Sequence, residues 1–181
     1  MASTTITHEI PPVWNTESRI LILGTMPSPA SRDAGFFYMH PQNRFWKVVA
    51  SVFGEDLKFS NSDTKNPELK PLVIQERRDF LLRHKIALWD VLSSCDINGA
   101  SDSSIKNAVP NDFTKIFTAS KITRVFCTGK TAYNLWKNFC AEKYEAQFKL
   151  KTECLPSTSP ANAAWTFERL VEAYSKIAET V

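Results

Sequence analysis

The sequence predicts an α/β layered domain around a mostly parallel, four-stranded sheet. Three observations carry that expectation. Short apolar runs of strand length alternate with segments of helical period. The first of these runs, Arg19–Leu23 (RILIL), has the unbroken apolar character of a strand buried on both faces. Three of the four strand exits then open into unusual loops, Gly24–Asn43, Ser93–Asp112 and Leu155–Ala161. In a parallel sheet such loops converge on one edge, where ligands sit beyond the carboxyl ends of the strands.

Taken in order, Met1 to Asn15 hold two adjacent prolines and read as a mobile lead-in, leaving 16–181 as a single domain. Gly24 ends the first strand. Asn43–Phe53 spaces Phe45, Trp46, Val49 and Phe53 at helical intervals, and Gly54 stops that helix. Gly54–Pro71 is polar and reads as a surface loop. Pro71–His84 reads as an amphipathic helix and Ile86–Leu92 (IALWDVL) as a strand. Ser93–Asp112 reads as a polar loop with a short helix around Ser103–Asn107. A helix at Phe113–Ala119, a strand at Arg124–Cys127 and a helix from Gly129 to about Tyr144 follow. Phe148–Cys154 reads as the fourth strand, and Ala163–Ala178 as the last helix.

Bulk properties narrow the class. A chain of 181 residues suits one domain with one sizeable core. No apolar run is long enough to span a bilayer, and the start, MASTTITHEI, lacks the basic-then-apolar pattern of a signal peptide. The expectation is a soluble protein of the cytoplasm or nucleus that has no business with membranes. The net charge of +3 permits a polyanionic partner without requiring one. Cys95, Cys127, Cys140 and Cys154 form no C-x-x-C pair, so they read as free thiols in a reducing compartment rather than as metal ligands.

Several chemistries lack their residues. There is no G-x-G-x-x-G and no P-loop lysine, hence no phosphate cradle for a dinucleotide or nucleoside triphosphate. There is no G-x-S-x-G, and paired carboxylates are not evident at the strand exits. What remains is the loop after Gly24. Phe36, Phe37 and Tyr38 offer flat faces, and Asn43 offers both a donor and an acceptor. Backbone amides after Gly24 are placed to meet a developing anion. From these residues alone, the stretch is either a packed corner of the core or a pocket for a flat ring. Leu155–Pro160 (LPSTSP) is similarly two-sided. It is either a stiff loop that touches phosphates through hydroxyls and amides, or a plain helix cap.

The joint pattern resembles the uracil-DNA glycosylase superfamily. Gly24-Thr-Met-Pro-Ser28 with Phe37–Trp46 (FYMHPQNRFW) is similar to the first motif of its mismatch-specific members. Ala87–Leu92, Ser104–Phe113 and Leu155–Asn162 bring the likeness to the hypoxanthine-DNA glycosylase branch, over roughly Arg19 to Tyr174. The resemblance implies a three-layer αβα fold and a monomeric enzyme of base-excision repair. Such an enzyme hydrolyses the N-glycosidic bond of a flipped, deaminated base in double-stranded DNA, with no cofactor and no metal. It further implies that Asn43 is the catalytic amide and that Tyr38 stacks on the base. Gly24, Thr25, Met26, Pro27 and His40 would complete the substrate pocket, and Leu155, Pro156, Ser157, Thr158, Ser159 and Pro160 would meet the DNA.

Two positions depart from the wider superfamily. Met26 stands where many members carry an Asn or Asp that positions water, and Leu155 stands where the strongest uracil enzymes carry a histidine. Both departures match the hypoxanthine branch. A mismatch-specific uracil or thymine glycosylase and a non-catalytic nucleic-acid binder on the same fold are the alternatives.

Overall fold

The computed structural model describes residues 4–98 and 101–181. Its centre is a parallel sheet of β2 (Ile20–Gly24), β3 (Ile86–Asp90), β6 (Arg124–Thr128) and β7 (Lys151–Leu155). The spatial order is β3-β2-β6-β7, with Ile20 beside both Ile86 and Arg124. All five residues of β2 are buried, as its unbroken apolar run requires.

Alternation along β2 divides the core into two faces. Ile20 and Ile22 point into a cluster that holds Phe45, Trp46, Phe80 and Tyr174. These come from α2 (Phe45–Val52), α3 (Lys70–Arg83) and α7 (Phe167–Ala178). Leu21 and Leu23 point the other way, into Ile116, Phe117, Trp136 and Tyr144. Those belong to α4 (Thr114–Ala119), α5 (Lys130–Phe139) and α6 (Ala141–Phe148). The three-layer expectation is met. Each fully buried aromatic on these faces contributes about 1.5–3 kcal/mol relative to exposure.

Several local expectations are corrected. The run Ile86–Leu92 is two strands rather than one. At Val91 the chain leaves the parallel sheet, the Val91 and Leu92 N–H groups donating to the carbonyls of Gly24 and Thr25. The polar segment beyond it is a hairpin of β4 (Leu92–Ile97) and β5 (Lys106–Pro110), with only a short 3-10 turn, Asp102–Ser104, where a helix was expected. Residues 99 and 100 of that segment lie outside the described residues. The strand signal was hidden because Leu92, Cys95 and Ile97 are the buried side chains and the residues between them are serines and an aspartate.

The N-terminal segment is not a free lead-in from Thr4 onward. β1 (Thr4–Thr7) pairs antiparallel with β4, Thr4 opposite Ile97, and Val13 exchanges two backbone hydrogen bonds with Leu88. Cys140 interrupts the expected long helix, between α5 and α6. Lys149, at φ 54°, then turns the chain into β7. Finally, α7 starts at Phe167 under a Thr166 side-chain cap, later than expected, and a short helix α1 (Pro29–Ala34) lies inside the aromatic loop. Of the four cysteines, which are all free, Cys95, Cys127 and Cys140 are buried and Cys154 is exposed. Among the described residues no helix is long and apolar enough to cross a membrane.

Candidate active site

A cavity of about 670 Å³ opens at the carboxyl edge of the parallel sheet. Its walls come from the loop after β2, the turn at Tyr38 and His40, Asn43 before α2, the ends of β3 and β6, and the loop after β7. The strand exits converge as a parallel sheet demands.

Asn43 is held by its oxygen. Its Oδ1 accepts from the Phe45 N–H and from the Thr158 hydroxyl, both at 2.9 Å. A backbone N–H can only donate, so the amide orientation is fixed by the network. The Nδ2 protons have no partner among the described residues, and Asn43 lines the cavity. The arrangement is a rigid side chain with its donor end free.

Tyr38 adopts a left-handed backbone, φ 56°, which is uncommon for a residue with a β-carbon. The buried Asn61 holds that turn by donating from Nδ2 to the carbonyls of Tyr38 and His40, each at 3.0 Å. One face of the Tyr38 ring lies on Phe45, with centroids 3.9 Å apart and planes 14° from parallel. Its hydroxyl is 2.8 Å from Thr128 Oγ1. Thr128 commits its own proton to the carbonyl of Leu23, so Tyr38 is the donor. Burial pushes the Tyr38 pKa well above its ordinary value, and the Asp90 charge adds to the rise. The neighbouring Phe36 and Phe37 are core residues, 2% and 1% exposed.

Gly24 is required by close approach. A β-carbon there would lie 2.3 Å from Asp90 Oδ1 and 2.9 Å from the Tyr38 hydroxyl. Asp90, at the end of β3, is 4% exposed and lines the cavity. Its Oδ2 is 2.8 Å from Nε2 of the buried His8, delivered by the segment after β1. Asp102 also lines the cavity and accepts from the Thr25 hydroxyl at 3.1 Å. Loss of water around its carboxyl raises the Asp102 pKa; the Thr25 bond works against the rise and the Asp90 charge adds to it. Thus two carboxylates stand at strand exits where the sequence showed no pair. An apolar strand ending in Asp90 was the signal for one of them. Nothing local pointed to His8, because its position depends on the pairing of β1.

Gly24, Thr25, Met26, Pro27, Tyr38, His40 and Asn43 are all gathered at this one cavity. Met26 and His40 are half-buried there. His40 Nδ1 accepts from the Gln42 N–H at 3.2 Å, leaving Nε2 as the other ring nitrogen to carry the proton. The loop after β7 divides. Ser157, Ser159 and Pro160 line the cavity with part of their surface free. Leu155 does not join them. It is the last residue of β7, 1% exposed, and packs in the core. Thr158 lines the cavity but is also 1% exposed, turned inward onto Asn43. Pro156 is off the cavity and accepts from the Tyr174 hydroxyl at 2.9 Å.

One residue the sequence reading passed over ties these parts together. The Arg44 guanidinium donates to the carbonyls of Thr158, Ser159, Asn162 and Trp165. A single side chain next to Asn43 therefore gathers four carbonyls of the loop after β7.

The model of the family described as "Uracil DNA glycosylase superfamily" matches residues 11–178. A protein named hypoxanthine DNA glycosylase from Methanosarcina barkeri is 33% identical over 153 residues, covering 84% of this chain and 85% of its own. Its namesake from Methanosarcina acetivorans is 30% identical over 167 residues, 91% and 93% of the two chains. The solution NMR structure of a candidate uracil DNA glycosylase from Methanosarcina acetivorans superposes with a TM-score of 0.74 at 25% identity, over 98% of this chain and 99% of that one. A parallel sheet with its cavity at the carboxyl edge, matched in sequence over nearly its whole length, places the chain in the uracil DNA glycosylase superfamily.

Proposed function

We propose that the protein acts as a monomer on double-stranded DNA and hydrolyses the N-glycosidic bond of a flipped deaminated base, hypoxanthine above all. The observation that carries this reading is Asn43, whose oxygen is fixed by two hydrogen bonds while its amide protons have no partner among the described residues and the residue lines the cavity with Tyr38. The names of the relatives support the choice of base.

The chemistry fits such a spare site. A base inside a duplex must be extruded, which costs a few kcal/mol and least when it is mispaired. Hypoxanthine departs as an anion delocalised over its rings, so a fixed donor aimed at the developing charge replaces strong acid catalysis. Asn43 Nδ2 is that donor. Tyr38, backed by Phe45, supplies the stacking surface. Tyr38 stays neutral because burial raises its pKa, so it adds no negative charge beside the departing base.

Duplexes carrying one deoxyinosine or one deoxyuridine, incubated with purified protein and then treated with alkali, test the reading. Breaks at deoxyinosine are expected. Breaks at uracil alone would move the activity to the uracil branch. A gel shift with no abasic product would leave a binder rather than an enzyme.

A further inference from the structure

We propose that Asp90 selects the base, accepting a hydrogen bond from the ring N–H that deamination creates. The inference rests on the glycosylase reading and names how its pocket chooses a substrate. Asp90 is almost wholly buried at the cavity floor, and its two oxygens have different surroundings. Oδ2 is occupied by His8 Nε2 at 2.8 Å. Oδ1 lies over Gly24, near the Tyr38 hydroxyl, and has no hydrogen-bond partner among the described residues. Tyr38 cannot serve it, because its proton goes to Thr128, whose own proton goes to Leu23. An acceptor at the cavity wall that no protein group serves is open to a donor on a ligand.

The chemical class follows from that opening. Adenine presents a bare ring nitrogen, an acceptor, at N1. Deamination to hypoxanthine puts a proton there, and deamination of cytosine to uracil does the same at N3. A carboxylate oxygen at the floor attracts the deaminated form and opposes the lone pair of the parent base. The absence of a side chain at Gly24 lets the Asp90 carboxylate lie against its α-carbon, where a β-carbon would come within 2.3 Å of Oδ1. The contact serves recognition and not departure, since a carboxylate resists negative charge growing on the base. The His8 N–H limits that penalty by sharing the charge on Oδ2. Asn43 meets the anion from another wall of the cavity.

The test measures single-turnover cleavage of duplexes carrying deoxyinosine or its 1-deaza analogue, in which C–H replaces N1–H without added bulk. Wild type, Asp90→Ala and Asp90→Asn are compared, with melting curves to verify folding. The preference for deoxyinosine over the analogue is expected to be about 10- to 100-fold larger in wild type than in Asp90→Ala, the usual worth of a hydrogen bond to a charged group. Its loss is expected mainly in the substrate concentration dependence rather than in the maximal rate. Asp90→Asn, isosteric and neutral, should reduce the preference several-fold and covers the case in which the alanine variant fails to fold. An unchanged preference in either folded variant overturns the proposal. Wild type that leaves deoxyinosine intact overturns the glycosylase reading itself, a result distinct from cleavage without discrimination.

Discussion

The hydroxyl of Thr158 donates to Oδ1 of Asn43 at 2.9 Å, joining side chains 115 residues apart. Both residues serve structure as well as the site. The same Asn43 oxygen caps the start of α2 through the Phe45 N–H, so the amide cannot turn without giving up two bonds. In Asn43→Ala, cleavage of deoxyinosine is expected to fall by at least the 10²–10³-fold typical of one lost anion-stabilising donor. Loss of the cap should cost about 1 kcal/mol of stability. Single-turnover rates and chemical denaturation separate the two effects. Thr158→Val should keep the cap, lower the rate by about 10-fold through a looser amide, and cost about 1 kcal/mol. A rate equal to wild type in Thr158→Val would show that the Phe45 bond alone suffices.

Gly24→Ala is the smallest change that disturbs the pocket floor. Its methyl would meet Asp90 Oδ1 at 2.3 Å and the Tyr38 hydroxyl at 2.9 Å. Neither is the end of a free side chain, since His8 holds one and Thr128 the other. Overpacking of about 1–3 kcal/mol is expected, with a rate loss of about 10²-fold from the displaced residues. Melting curves and cleavage assays on one preparation check both numbers.

Arg44→Lys keeps the charge but replaces a planar fork by a point donor. Four loop carbonyls now share that fork. A cost of about 2–3 kcal/mol is expected, or a fall of about 4–12 °C in melting temperature for a chain of this size. Binding to undamaged duplex DNA should weaken together with cleavage, because Ser157, Ser159 and Pro160 lose their fixed positions. Fluorescence anisotropy with a labelled duplex measures that.

Acid stability has one traceable source in Asp112. Hydrogen bonds from the Thr114 hydroxyl and N–H, and from the Tyr144 hydroxyl, hold its carboxyl well below the usual carboxylate range. A depressed folded-state pKa means that its stabilisation is present above the unfolded value near 4. It is lost as pH falls through the folded value. Asp112→Asn should therefore melt closer to wild type at pH 3 than at pH 7. The group is largely exposed, so the difference should be about 2 °C or less. Equal gaps at both pH values would count against an ionised Asp112 as the source.

The fold was legible where burial is continuous. The apolar run of β2 and the helical spacing of Phe45, Trp46 and Val49 name their own faces. The chain was illegible where polar residues do structural duty. The serines of β4 hid a strand, and Arg77, buried on α3 over the Trp46 ring, has the composition of a surface residue. The site followed the same division. Tyr38 and Asn43 stood out because they lie in one unusual loop. His8, Asp90 and Asp102 did not: Asp90 and Asp102 reach the cavity from two different elements, and His8 reaches Asp90 only through the pairing of β1 with β4. Leu155 and Thr158 were misassigned to the DNA face for a related reason. A loop sequence does not reveal which of its residues turn inward.

The pairing of β1 with β4 also bears on the order in which the molecule can be made. β1 has no partner until Ser94–Ile97 exist, and Asn43 lacks its Thr158 donor until the loop after β7 has emerged. Such distant contacts form late, after the entropy of closing long loops has been met. A nascent chain stopped before residue 158 therefore carries much of the apolar core with the Asn43 amide untethered, and the pocket is complete only once the loop after β7 has joined it.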